Sequence, residues 1–81
     1  MTRILIADDN EASRQLLLTC AHTLGADAAA AASGHDALRL LEEAAARGHP
    51  FSLAILEMEM NDLDGLTLAR TIKSNPGLEK T

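Results

Sequence analysis

Aromatic residues are almost missing from this sequence: Phe51 stands alone, with neither Trp nor Tyr beside it. That removes the platforms on which bases and sugar rings stack, and it removes aromatic cages for cations. Cysteine is as scarce. Cys20 has no second thiol to pair with, so no internal disulfide forms, which suits a cytoplasmic, reducing setting. No apolar run nears the roughly 20 residues that a membrane helix needs. No charged-then-apolar leader opens the chain either, and no membrane partner is expected. A basic stripe is also lacking. Lys and Arg number seven against twelve Asp and Glu, a net charge of −5, so a nucleic-acid backbone would be repelled by this segment. Neither a G-x-G-x-x-G turn nor a Walker loop occurs, which leaves nucleotide binding without support.

What is present is a folding sequence of one domain's size. Of its 81 residues, 47% are hydrophobic, too many for a disordered chain. Ile4 to Ala7 form a short apolar run that stops at Asp8 and Asp9, as a buried parallel strand stops at its carboxyl end. Ala12, Leu16, Leu17, Cys20, Ala21 and Leu24 recur at helical spacing, between Asn10 as a cap and Gly25 as a stop, and predict a helix from Glu11 to Leu24. The stretch "ADAAAAAS" is ambiguous, because alanine favours helix and packs little as a strand. Ser33 with Asp36 resembles a capping box for a second helix, whose apolar face is Ala37, Leu38, Leu41, Ala44 and Ala45 and which ends near Arg47 and Gly48. After Pro50, "FSLAIL" is too short for a helix and reads as a strand; Asp64 can cap a third helix from Gly65 to about Ser74.

Strands alternating with helices at this spacing imply parallel pairing through right-handed crossovers, and a doubly wound sheet of order 2-1-3 is the expected form. In that order the first and third strands are neighbours, their connections leave toward opposite faces, and their carboxyl ends flank a crevice. Asp8, Asp9 and Glu57, separated by about fifty positions, are therefore expected to converge. Clustered carboxylates need a counter-charge, and oxygen-only ligands with room for water suit Mg²⁺.

"RILIADDNEASRQLL", "LGADAAAAASGHDALRLLEEA" and "FSLAILEMEMNDLDGLTLARTIK" together resemble the first two thirds of a response-regulator receiver domain, the flavodoxin-like module that accepts a phosphoryl group in two-component signalling. The resemblance covers the whole of residues 1–81 and implies a signalling module, not an enzyme. It implies that Asp8 and Asp9 hold Mg²⁺, with Asp9 as the direct ligand, helped by the backbone carbonyl of Glu59. It lends "ADAAAAAS" the role of the second strand. It also puts the phosphoacceptor at position 57, where the family has aspartate and this chain has Glu57; Asn61 stands at the loop's usual proline, while Asp64-Gly65 match. The family's Ser or Thr after the fourth strand and Lys after the fifth would fall beyond Thr81.

Glu57 reaches about 1.5 Å further than aspartate would. Phosphoryl transfer depends on positioning, so a degenerate receiver used for contacts is expected, partnered by a histidine kinase or by other domains of a parent regulator. The alternatives are a working phosphorelay receiver with Mg²⁺ and a constitutive mimic of the phosphorylated state. A third strand written as if buried on both sides but left at an edge predicts a homo-oligomer or domain-swapped dimer. The remaining polar and sulfur-bearing residues have ordinary explanations: Cys20 as a small buried hydrophobe, His22, His35 and His49 as surface residues, Met58 and Met60 as core filling, and Asp62 as a solvated loop residue.

Overall fold

A computed structural model of the chain describes residues 2–57, 60 and 65–74. The elements run β1 (Arg3–Ala7), α1 (Glu11–Thr23), β2 (Asp27–Ala31), α2 (Gly34–Ala46), β3 (Leu53–Leu56) and α3 (Gly65–Ser74). The strands form one sheet of the expected order β2-β1-β3, and both pairings are parallel, as the alternation of strands with helices predicts. Among the described residues the arrangement is flavodoxin-like, with three strands and three helices.

The helix ends follow from the residues placed at them. Asn10 accepts a hydrogen bond from the Ser13 amide at 2.9 Å, and Ser33 accepts one from the Asp36 amide at 3.2 Å, so each side chain satisfies an orphan donor of the first turn. Both α1 and α2 end in the same way. The amides of Gly25 and Ala26 donate to His22 and Ala21, and those of Gly48 and His49 donate to Ala45 and Ala44. That is the Schellman arrangement, and it needs a left-handed residue just past the helix; Gly25 and Gly48 supply it with φ of +81° and +77°.

Side-chain alternation in β1 divides the core between the sheet's two faces. Ile4 and Ile6 point to α1, where Ala21 is buried and Leu17, Leu18, Ala28 and Ala30 pack around them. Leu5 and Ala7 point the other way, into a larger cluster with Ala31, Ala37, Leu41, Phe51, Leu68 and Ile72. Helices α2 and α3 thus share one face and α1 covers the other. Each fully buried Leu or Ile contributes about 1.5–3 kcal/mol, and Leu5, Ile6, Leu41 and Leu68 are of this kind. Met60 is buried in the larger cluster, as core filling requires; Met58 lies outside the described residues.

One expectation needs correction and one ambiguity is resolved. On α1 the apolar positions comprise two rows, and the sheet takes only one of them. Leu17, Leu18 and Ala21 face β1 and β2, whereas Ala12, Leu16, Cys20 and Leu24, spaced every four residues, form a row that faces water. Cys20 is therefore exposed and not a buried hydrophobe. The stretch "ADAAAAAS", ambiguous by composition, takes the strand role that the family resemblance lends it. Asp27–Ala31 is a strand because it registers residue for residue on β1, from Arg3 with Asp27 to Ala7 with Ala31. Tertiary pairing overrides propensity here, and side chains as short as alanine let a helix approach each face of the sheet.

Candidate functional site

The site lies where β1 and β3 end side by side. Ala7 pairs with Leu56, the last residue of β3, so Asp8 and Glu57 leave neighbouring strands at matching positions. Adjacent strands run about 4.8 Å apart. Two further backbone bonds extend the ladder past the strands: the Glu57 amide donates to the Ala7 carbonyl at 2.9 Å, and the Asp8 amide to the Ala31 carbonyl at 3.1 Å. The acidic turn is thereby tied to both flanking strands. Helix α1 departs from it to one face and α3 follows β3 on the other, which makes this end of the sheet a topological switch point.

Within the turn the acids differ. Asp8 is buried, 5% exposed, and one of its carboxylate oxygens accepts the Asn10 amide at 2.9 Å. A buried carboxylate needs such a partner, and among the described residues no buried side-chain oxygen or nitrogen is left without one. Asp9 is exposed between Asp8 and the cap residue Asn10, and Glu57 is exposed at the end of β3. The structure thus brings Asp8, Asp9 and Glu57 to one end of the sheet, as the strand order requires. The Glu59 carbonyl, Asn61, Asp62 and the Asp64 cap lie outside the described residues.

One participant carries no sequence signal of its own. Arg14, one turn into α1, donates from its guanidinium to the Asp8 main-chain carbonyl at 2.9 Å. It begins the row that continues through Leu17, Leu18 and Ala21, so a stripe drawn from the buried side of α1 would have included it. His22, His35 and His49 are exposed and scattered, as expected. Among the described residues no three His, Cys, Asp or Glu side chains are grouped to hold a metal ion by themselves. The donors at this end are carboxylate and carbonyl oxygens, which suit a hard cation that keeps much of its water, and exclude a closed nitrogen and sulfur cage.

Comparison with known proteins identifies the family. The model of the response regulator receiver domain family matches residues 4–80. The sensor protein TorS of Escherichia coli is 30% identical over 70 residues, 86% of this chain and 7% of its own length. The transcriptional regulatory protein AruR of Pseudomonas aeruginosa is 34% identical over 71 residues, 88% of this chain and 29% of its length. The crystal structure of the response regulator TrrA from Thermotoga maritima, in complex with Mg²⁺ and BeF, superposes with a TM-score of 0.78 at 31% identity, covering 91% of this chain and 60% of that one. The chain spans a small part of the curated relatives and about three fifths of the solved one. No helix among the described residues is long and apolar enough to cross a membrane. A family match over nearly every residue, on a β2-β1-β3 sheet with its acidic turn at the switch point, makes this chain a member of the response regulator receiver domain family of two-component signalling.

Proposed function

We propose that the chain is the N-terminal part of a degenerate receiver, one that serves as a regulatory or dimerisation module and does not take up phosphate efficiently. The observation that carries this reading is Glu57, a glutamate standing at the end of β3 beside the acidic turn, where the family resemblance calls for aspartate. Receiving a phosphoryl group requires a carboxylate oxygen in line with the phosphorus and its leaving oxygen. The additional methylene moves that oxygen by about 1.5 Å, and displacements of about 1 Å cost on the order of 100-fold in such steps.

Asp8, Asp9 and the main-chain carbonyl of Glu59 are the groups that would hold Mg²⁺. When bound, the ion would supply positive charge to offset the gathered carboxylates. The protein's contribution is to hold them: Asp8 is fixed by the Asn10 amide and by its ladder bond to Ala31, while Asp9 stays open to solvent. The partners of this reading are a histidine kinase, other domains of a parent regulator, and a second copy of the chain. The last is supported by β3, the end strand of the β2-β1-β3 sheet among the described residues, with Leu53 and Ile55 exposed at 48% and 38%. A cavity of about 180 Å³ between β3 and α3 adjoins that surface at Leu53; its lining is Leu53, Ala54, Leu56, Ala69 and Ile72 together with the polar Ser52 and Lys73.

Incubation with acetyl phosphate and Mg²⁺, followed by intact-mass measurement, tests the central statement. The wild type is expected to gain no stable phosphoryl group, and Glu57→Asp is expected to gain one. A phosphorylated Glu57 peptide would establish a working phosphorelay receiver in its place.

A further inference from the structure

Arg14 is the one basic side chain that the described structure bonds directly to the acidic turn. Its position is determined by α1: Arg14 opens the row at i, i+3, i+4 and i+7 whose later members, Leu17, Leu18 and Ala21, pack on the sheet. Its guanidinium is part-buried and reaches back six residues to the Asp8 carbonyl oxygen at 2.9 Å. That oxygen belongs to the peptide joining Asp8 to Asp9. A peptide unit is planar, so fixing its carbonyl fixes both flanking α-carbons and hence the origin of both carboxylate side chains. Other bonds hold the ends of the turn, through the Asp8 amide on Ala31 and the Asn10 amide on the Asp8 carboxylate. Asp9 receives none of these, and the Arg14 contact is the bond that holds the peptide leading into it.

We propose that Arg14 is a positioning residue for the cation-holding acids. It acts on the Asp8–Asp9 peptide through hydrogen bonding and does not serve the site mainly as a counter-charge. The proposal rests on the assignment of Asp8 and Asp9 as the cation-holding pair, and it distinguishes itself by sign. A guanidinium that acted only by its charge would oppose a divalent cation, and removing it would tighten Mg²⁺ binding. A guanidinium that holds the turn in shape does the reverse: its removal weakens binding, as loss of an outer-shell partner commonly does by about 10- to 100-fold. Lysine keeps the charge but lacks the planar fork, so it should restore little of the geometry.

The test compares wild type, Arg14→Met and Arg14→Lys by amide hydrogen exchange without metal and by Mg²⁺ titration followed in NMR spectra. In both variants the Asn10 and Asp8 amides are expected to exchange at least about 10-fold faster, while the Leu5 and Ile6 amides of β1 keep their protection and report an intact fold. Mg²⁺ affinity is expected to fall in both. Unchanged exchange at Asn10, or tighter Mg²⁺ binding by Arg14→Met, would overturn the proposal. Should the wild type itself bind no Mg²⁺, the assignment of the cation site fails, and the metal-free exchange data still decide whether Arg14 holds the turn. Should Arg14→Met lose protection in β1 as well, Arg14→Lys decides the question alone.

Discussion

At the scale of single residues, position in the fold outweighs chemical type. Leu16 and Leu41 are both leucines on amphipathic helices, yet Leu16 is 64% exposed and Leu41 is 1% exposed in the main core. Leu41→Ala should lower unfolding stability by about 2–5 kcal/mol, because it removes buried methyl groups and leaves a cavity. Leu16→Ala should stay within about 0.5 kcal/mol of wild type. Chemical denaturation of the two variants checks this, and a loss at Leu16 on α1 as large as that expected at Leu41 on α2 would show that the two rows of α1 have been assigned the wrong way round. Glu57 illustrates the same rule in the site. One methylene at the end of β3 matters because the strand ladder fixes where the side chain begins, through the Glu57 amide on Ala7. Its replacement by aspartate changes reach while keeping charge, so a gain of phosphorylation in Glu57→Asp would isolate geometry as the cause.

At the scale of elements, boundaries were the most legible feature. Asn10, Gly25, Ser33 and Gly48 mark where α1 and α2 begin and end, and each does so through a local bond or dihedral angle that needs no distant partner. A residue with a side chain at Gly25 would have to adopt φ near +81°, although no atom lies within 4 Å of the missing β-carbon. Gly25→Ala should therefore destabilise by about 1–2 kcal/mol through backbone strain alone, visible as a lower thermal midpoint with the fold retained. Full stability in that variant would mean that the α1 terminus can rearrange without cost. The face each helix presents was less legible. Both rows of α1 are apolar, and only the sheet's position chooses Leu17, Leu18 and Ala21 over Leu16, Cys20 and Leu24. Strand β2 was not legible from its residues at all, since five consecutive positions of "DAAAA" become strand through pairing with β1.

At the scale of the molecule, three parallel strands between helices place one acidic end against two cores. The proposed self-association belongs to this scale, because it concerns the outer side of β3 and the exposed Leu53 and Ile55. An uncharged strand at the end of a sheet invites pairing, and a charge on it opposes pairing. Ile55→Lys should shift sedimentation of the protein toward the monomer while costing little stability, since Ile55 is already 38% exposed. An unchanged distribution of species would remove β3 from the interface. The wild type sedimenting as a single monomeric species would remove the dimer proposal itself.

The amino-acid sequence by itself determined the order of the three helices and of β1 and β3, the ends of α1 and α2 and the kind of chemistry available, because caps, glycine turns and hydrophobic periodicity act within a few residues of one another. It also determined that an all-oxygen acidic group would terminate β1 and that glutamate would follow β3. Only the tertiary structure decided which row of α1 is core, that an alanine run is a strand, and that Arg14 bonds the Asp8 carbonyl. Those outcomes depend on contacts between segments distant in sequence. The free energy of such contacts is set by what stands opposite each residue once the sheet has formed, and no local pattern carries that information.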